Sequence, residues 1–353
     1  MNDQPHARRR FLAGLAAGAA SAALAGCSAP KKQLLLYIYR EYIDPRAVAE
    51  FEKIHDCRVV FDYFEDVSLM VAKLAAGGAS AYDVVVPGHY TLPGLVRQNL
   101  LAPIRRESIP NLRHVDPAFL NLDFDPANTY SVPYLWGTTG LYRRGSPGSP
   151  DDDTWGLIFD AKKQPGPFLL LEDSRLCIAA ALHYLGFRAN TIDPAQLTRA
   201  KALMVDAKQR SLGFATSYAA KNRVLSGEVA LAVVYNTDGM QGARQEPATR
   251  FFVPKEGGGL WLDTWSITAR APHRDLAEAF IDHTLDPRVA AGIANFTRTA
   301  TANLAALADV VPTDRQDPGI YPPPEVRRRL EYCRHLGADE RIYDQLWADI
   351  KAA

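Results

Sequence analysis

The stretch LLLYIYREYIDP, residues 34–45, carries the sequence signals that decide the fold. Leu34 to Tyr39 form a continuous apolar run, typical of a parallel strand that is buried on both faces. Asp44 and Pro45 predict the start of a helix, with Asp44 as its N-cap and Pro45 at its first position. The polar residues 40–42 therefore follow the carboxyl end of a buried strand.

The same alternation of strand and helix continues to residue 88. Val48, Phe51 and Ile54 mark the expected inner face of the first helix. The next predicted elements are a strand at 58–63, a helix at 67–76 that ends before Gly77-Gly78, and a strand at 84–86 that ends before Pro87-Gly88. Strands that alternate with helices in this way predict a parallel sheet covered by helices.

A turn-rich stretch at 103–133 and a surface loop at 145–154 separate this unit from a second one of the same style. The predicted elements of the second half are strands near 140–142 and at 169–171, helices at 174–185 and from Asp193-Pro194, strands at 228–235 and 261–268, and a largely helical end at 274–352. A chain of 353 residues exceeds one ordinary hydrophobic core. We therefore expect a two-lobed α/β protein whose chain crosses between the lobes more than once.

The N-terminus has the pattern of an export signal. Arg8-Arg9-Arg10-Phe11-Leu12 is typical of twin-arginine export, and Leu24-Ala25-Gly26-Cys27 resembles a lipoprotein cleavage box. The apolar run between them is shorter than the ~20 residues that a spanning helix needs. We therefore predict a signal peptide at 1–27, lipidation of Cys27, a tether at 28–33, and a periplasmic or cell-surface protein that is anchored by its lipid.

Composition excludes several classes of function. The formal net charge is zero and basic residues form no stripe, which argues against a nucleic-acid surface. The remaining cysteines, Cys57, Cys177 and Cys333, allow at most one disulfide, and we expect at least two of them to be buried thiols. No zinc motif, phosphate loop or Gly-x-Ser-x-Gly elbow is present. The sequence thus predicts neither a metal, a cofactor nor catalysis.

Ligands of open parallel sheets bind beyond the carboxyl ends of the strands. The residues found there are Arg40, Glu41, Tyr42, Gly88, His89, Tyr90, Asp173, Asn236 and Asp238, and we add Trp261, Leu262 and Asp263, which lie where a Gly-rich loop feeds a strand. Carboxylates and aromatic rings prevail in this set. Carboxylates bind ammonium groups through charge-assisted hydrogen bonds, and ring faces attract cations and cover methylenes. The set therefore favours an organic cation as the ligand.

Several segments resemble the bacterial spermidine/putrescine-binding proteins, which have the type II periplasmic binding fold. They are AYDVVVP at 81–87, FDPANTYSVPYLWGT at 124–138, PKEGG at 254–258 before Trp261-Leu262-Asp263, and NLAA at 303–306. The resemblance covers residues 34 to 350. It implies two α/β lobes, one from 34–139 plus about 265–305 and the other from 140–264 plus about 306–353. It also implies a monomeric receptor that carries a polyamine to the permease and ATPase of an ABC importer.

The family's polyamine contacts correspond to eight positions of this chain: Glu41, Tyr42, Tyr90, Asp173, Ser217, Tyr235, Trp261 and Asp263. Other positions depart from the family. The loop before Glu41 is shorter and lacks a tryptophan, Gly88 replaces a serine, Leu176 replaces an acid, and Thr299 replaces a tyrosine. With the acids that remain, we expect a diamine such as putrescine, or a triamine held less tightly.

Other interpretations stay open. Asp173 is also in the position of a helix N-cap, and the tyrosines and Trp261 could pack the core. His89 is expected to be a loop histidine rather than a ligand contact. Arg40 could bind a carboxylate and so favour a zwitterionic amine. A sensor lipoprotein without a transport role is a further alternative.

Overall fold

The computed structural model describes residues 31–65, 67–145 and 152–353. The predicted signal peptide and Cys27 lie outside this range, as does most of the loop at 145–154. The predicted tether at 28–33 is too long, because the first strand already begins at Lys32. Within the described residues, no helix has the length and apolar character needed to cross a membrane.

The N-terminal unit has the predicted order of elements through its third strand, followed by a helix and one further short strand that was not predicted. The elements are β1 (Lys32–Ile38), α1 (Pro45–His55), β2 (Cys57–Tyr63), α2 (Val67–Ala75), β3 (Val84–Val85), α3 (Leu92–Arg97) and β4 (Leu101–Ala102). Strand β1 pairs in parallel with both β2 and β3. The parallel sheet predicted from the alternating pattern is therefore confirmed.

Helix α1 begins where its capping residue predicts, but its buried face differs from the one that the spacing of apolar residues predicts. The Asp44 side chain caps the helix by accepting the Arg46 N–H at 2.8 Å, as predicted. Val48 and Phe51 are buried, but Ile54 is 61% exposed, so its predicted inward position is wrong. Steps of three residues fall 60° short of a full helical turn each time, which carries the third position off the buried face.

The rest of the chain forms the second unit and the connections. These elements are β5 (Val132–Arg144), α4 (Gly156–Phe159), β6 (Phe168–Leu171), α5 (Ser174–Tyr184), α6 (Pro194–Arg210), β7 (Phe214–Ala215), α7 (Ser217–Leu225), β8 (Leu231–Tyr235), α8 (Asn236–Gln245), β9 (Thr249–Phe252), β10 (Gly258–Thr268), α9 (Arg274–Thr284), α10 (Pro287–Thr297), β11 (Ala300–Thr301), α11 (Pro312–Arg315), α12 (Pro324–Arg327), β12 (Leu330–Tyr332) and α13 (Glu340–Ala352).

Two long antiparallel strands, β5 and β10, join the two units. The sheet order is β2-β1-β3-β10-β5-β8-β6-β7, so β10 pairs with the first unit and β5 with the second. Strand β5 begins at Val132, within the stretch that was predicted to be turn-rich. The molecule is a two-lobed α/β protein in which these strands pass from one lobe to the other.

Two large hydrophobic clusters form most of the core. The first surrounds β1, α1 and β10, includes Phe51, Trp265 and Phe280, and extends into the second unit through Val234. Another surrounds α5 and includes Trp155 and Tyr343. Cys57, Cys177 and Cys333 are free and buried, which confirms that they behave as small apolar side chains.

Candidate functional site

A cleft with about 890 Å³ of empty space, its open mouth included, lies between the lobes. Its walls come from the loops that follow β1 and β3, from β10, and from the residues at the starts of α7 and α8. Six of the eight predicted contacts line it: Tyr42, Tyr90, Ser217, Tyr235, Trp261 and Asp263. The structure therefore brings these six side chains together around one cleft, and their contact with a ligand stays a prediction.

Asp263 is the central carboxylate of the cleft. It is 9% exposed, and its Oδ2 accepts the Tyr42 O–H at 2.7 Å. Burial raises the pKa of Asp263 to about 7, with the Tyr42 hydrogen bond opposing this shift. No lysine, arginine or histidine of the described residues forms an ion pair with it. The site thus holds a buried carboxyl group that lacks a cationic partner.

Gly88 keeps the second oxygen of Asp263 accessible. The two residues form an isolated antiparallel bridge between the β3–α3 loop and β10. A Cβ at residue 88 would lie 3.3 Å from Asp263 Oδ1 and 3.5 Å from the Tyr90 ring. The departure from serine at this position therefore leaves room beside the carboxylate.

Aromatic side chains surround this carboxylate. Tyr42 packs edge-on against Tyr39 and Tyr134, with ring centroids 5.4 and 5.7 Å apart. Trp261 donates its indole N–H to the Thr138 carbonyl at 3.2 Å and lies 6.1 Å from the Tyr235 ring. These bonds fix the orientation of the rings, so their faces are preorganised for a ligand.

Asp173 supports the cleft from behind its wall. It is the N-cap of α5, where its Oδ1 accepts the Leu176 N–H at 2.9 Å. Its Oδ2 accepts the Tyr235 O–H at 2.8 Å. Burial raises the pKa of Asp173, opposed chiefly by these hydrogen bonds. The capping interpretation is thus confirmed, and Asp173 reaches the cleft through Tyr235.

Glu41 lies outside the wall of the cleft. It occupies the shortened loop after β1 with a left-handed backbone (φ 54°). Its side chain is 53% exposed, and its Oε2 lies 3.9 Å from the Lys221 Nζ. A carboxylate of the first lobe therefore pairs with a lysine of the second.

Two polar groups at the α7–α8 end of the cleft, Gln241 and Lys221, were not expected from the sequence, whereas Asp238 was among the strand-end candidates. Asp238 and Gln241 line it, and Lys221 lies directly behind them. Ser217, which accepts the Tyr235 N–H at 3.0 Å, is at the start of α7. Lys221 follows Ser217 by four residues on the same helix face. This four-residue spacing from a predicted contact is the sequence signal that could have placed Lys221 near the cleft.

His89 lines the cleft as a neutral side chain. Its Nδ1 accepts the Leu262 N–H at 3.4 Å, so its Nε2 carries the proton and donates to the Cys333 carbonyl at 3.0 Å. Burial lowers the pKa of His89 to about 4. Both ring nitrogens are therefore used within the protein, and no cluster of metal ligands occurs in the ranges that the structure describes.

Comparison with known proteins identifies the family. Residues 46–320 match the family model of bacterial extracellular solute-binding proteins. The spermidine/putrescine-binding periplasmic protein of Escherichia coli is 30% identical over 340 residues, covering 96% of this chain and 97% of that protein. The putrescine/cadaverine-binding protein of Pseudomonas aeruginosa is 33% identical over 358 residues, covering 97% and 98%.

The fold agrees with solved structures. A putative spermidine/putrescine ABC transporter protein from Listeria monocytogenes superimposes with a TM-score of 0.81 at 27% identity, over 91% of this chain and 99% of that one. The predicted family and the predicted two-lobed fold are both confirmed. This chain belongs to the bacterial extracellular solute-binding proteins, in the family that includes the spermidine- and putrescine-binding receptors.

Proposed function

We propose that this protein is the receptor of an ABC importer and that it binds a polyamine, preferentially a diamine, in the cleft between its lobes. The observation that carries this proposal is Asp263, a buried carboxyl group without a cationic partner among the described residues. An unpaired buried carboxylate is costly unless a cation joins it. An ammonium group of the ligand would supply that cation.

The surroundings of Asp263 suit the methylenes of a polyamine. Trp261 and Tyr42 are each 6% exposed and present ring surface to the cleft. Leu176 adds an apolar side chain where the family has an acid. An aliphatic chain between ammonium groups would be covered by these surfaces, whereas a sugar or a polyanion would leave polar groups unpaired.

Isothermal titration calorimetry with amines of two to four nitrogens tests the proposal. We expect saturable heat with putrescine or cadaverine, and we include zwitterionic amines in the same panel. Absence of heat with every polyamine would overturn the proposal. Binding of a zwitterionic amine alone would support the other ligand class.

Arg40 weakens the case for a zwitterionic ligand. Arg40 lines the cleft, but its Nε lies 3.7 Å from Glu65 Oε1 and the centre of its guanidinium lies 4.8 Å from the centroid of the Tyr63 ring. This positive charge is already compensated at the cleft mouth. A carboxylate of the ligand would have to displace Glu65.

Function then consists of binding and lobe closure without chemistry. We assign residues 34–139 plus about 265–305 to the first lobe, and residues 140–264 plus about 306–353 to the second. Strands β5 and β10 are the hinge in this proposal, because they run through both lobes. Closure would exclude water from Asp263 and strengthen its attraction to an ammonium group.

We further propose that the receptor is a monomeric lipoprotein, anchored through Cys27 and exported by the twin-arginine pathway. The sequence at 8–12 and at 24–27 supports this, and the related protein of Escherichia coli is named a periplasmic protein. Substitution of Cys27 by Ser should move the protein from the membrane fraction to the soluble fraction. Replacement of Arg8, Arg9 and Arg10 by Lys should abolish export, and unchanged fractionation would contradict the respective prediction.

A further inference from the structure

Lys221 is a buried lysine at the end of the cleft that the proposed function does not use. It lies in α7 and is 1% exposed, and it is among the largest fully buried side chains of the described residues. Lysine is seldom buried to this extent unless it is paired. The contacts of its ammonium group therefore need an explanation.

The surroundings of the Lys221 ammonium are those that a ligand amine would require. The Nζ lies 3.7 Å from Asp238 Oδ1 and 3.9 Å from Glu41 Oε2. It donates to Gln241 Oε1 at 3.4 Å, and it lies 4.3 Å from the centroid of the Tyr218 ring. Two carboxylates, an amide oxygen and a ring face form a cation subsite. In this protein the subsite is filled from within the chain.

The subsite is continuous with the ligand cleft. Asp238, Gln241 and Tyr218 line the same cleft as Asp263, and Lys221 reaches them from behind. The Lys221 ammonium is a cationic partner for Asp238 and Glu41, whereas Asp263 has no such partner among the described residues. The two ends of the cleft thus differ in electrostatics: one end already holds an ammonium group of the chain, and the Asp263 end holds none.

We infer that Lys221 is a specificity-determining residue: its side chain is a tethered amine that occupies a terminal cation subsite and restricts the receptor to shorter amines. A triamine would have to place its third ammonium beside the Lys221 ammonium, which is unfavourable because like charges repel in a partly desolvated site. Otherwise it would have to displace the Lys221 side chain from its carboxylate partners. A diamine avoids this conflict. The inference rests on the proposed function and specifies its ligand.

The wild-type protein provides the first test. Calorimetric titration should give a lower Kd for putrescine or cadaverine than for spermidine. A wild-type protein that binds spermidine more tightly than every diamine would overturn the inference while leaving the proposed function intact. A wild-type protein that binds no polyamine would overturn the proposed function itself.

Variants of Lys221 provide the second test. In Lys221→Met the subsite is vacated, and we expect the ratio of the spermidine Kd to the putrescine Kd to fall at least tenfold. Lys221→Arg keeps the charge and should retain the wild-type ratio. The double variant Lys221→Met with Asp238→Asn also vacates the subsite but removes one of its carboxylates. It should therefore lose most of the improvement in spermidine binding that Lys221→Met gives.

The ratio is the decisive quantity, because removal of a positive charge would strengthen binding of every cation to some degree. Thermal unfolding of each variant verifies that it is folded, and Lys221→Gln replaces Lys221→Met if the latter does not fold. An unchanged ratio in a folded variant would show that Lys221 has only a structural role. Even if both variants fail to fold, a wild-type protein that binds spermidine more tightly than every diamine overturns the inference.

Discussion

At the scale of single residues, Asp263 combines burial with the absence of a charged partner among the described residues. We expect Asp263→Asn to weaken polyamine binding by about 2–5 kcal/mol, the range for loss of one member of a buried charge pair. Asparagine can still accept the Tyr42 hydrogen bond, so the fold should persist. Calorimetry measures the affinity, and thermal unfolding measures the stability.

A matched control for this substitution is Asp275→Asn. The Asp275 side chain is 91% exposed and pairs with Arg105 at the surface. Its substitution should leave the affinity unchanged, since exposed ion pairs contribute little. Equal affinities of wild type and Asp263→Asn would remove Asp263 from the binding site.

The raised pKa of Asp263 predicts that polyamine binding depends on pH. With a pKa of about 7, the free receptor holds a proton on Asp263 below neutrality, and the ammonium must displace it. The affinity should therefore rise with pH up to about 7, with a limiting slope of about tenfold per pH unit. Calorimetry in buffers of different ionisation enthalpy should detect the released proton.

Asp263→Asn also separates this effect from other titrations. The variant should show a flatter profile between pH 5 and 7 and release less proton on binding. A wild-type affinity that is constant across this interval would mean that Asp263 is already ionised or does not contact the ligand.

At the scale of elements, the crossing strands β5 and β10 need a glycine to pack beside the cleft. Gly137 on β5 lies opposite Trp261 on β10. A Cβ at residue 137 would come within 2.0 Å of Asn236 Oδ1 and 2.5 Å of the Trp261 ring. Gly137→Ala should therefore lower the free energy of unfolding by about 1–3 kcal/mol and weaken polyamine binding by displacing Trp261.

Gly94→Ala is the control for this substitution. Gly94 lies in α3, where the nearest atom to a new Cβ is the end of the Arg97 side chain at 3.9 Å. Alanine should be tolerated there or stabilise the helix by about 0.5–1 kcal/mol. Denaturant unfolding compares the two variants, and equal stabilities would contradict the steric argument.

At the scale of the whole molecule, we expect the ligand to close the cleft. Residues from both lobes line it, so an ammonium bound at Asp263 would favour the closed form. Saturating putrescine should reduce the radius of gyration in small-angle scattering, and Asp263→Asn should show no reduction at the same concentration. An unchanged radius in the liganded wild type would rule out closure about β5 and β10.

The positions of several helices and strands could be predicted from the sequence, because the signals for them are local: a capping residue at a helix start or a run of apolar residues in a strand. The N-caps Asp44, Asp173 and Asp193 each accept backbone N–H groups at the predicted helix starts. The apolar run at 34–39 became β1 except for Tyr39, which lies beyond the end of the strand, and the run at 169–171 is buried in β6. Ile54 was misplaced because the three-residue spacing drifts off the buried face.

The tertiary structure decided the electrostatics of the cleft. Sequence position brought Asp173 and Glu41 to strand ends, yet Asp173 caps a helix behind Tyr235 and Glu41 pairs with Lys221, while Asp263 lies within β10. Lys221 lies in a helix distant in sequence from Glu41, so their proximity depends on how the lobes meet. The sequence alone determined the family, the fold and the position of the cleft, because strand-end placement follows from chain order. Only the tertiary structure determined that Asp263 is buried in the cleft without a cationic partner among the described residues, because charge pairing depends on contacts between distant segments.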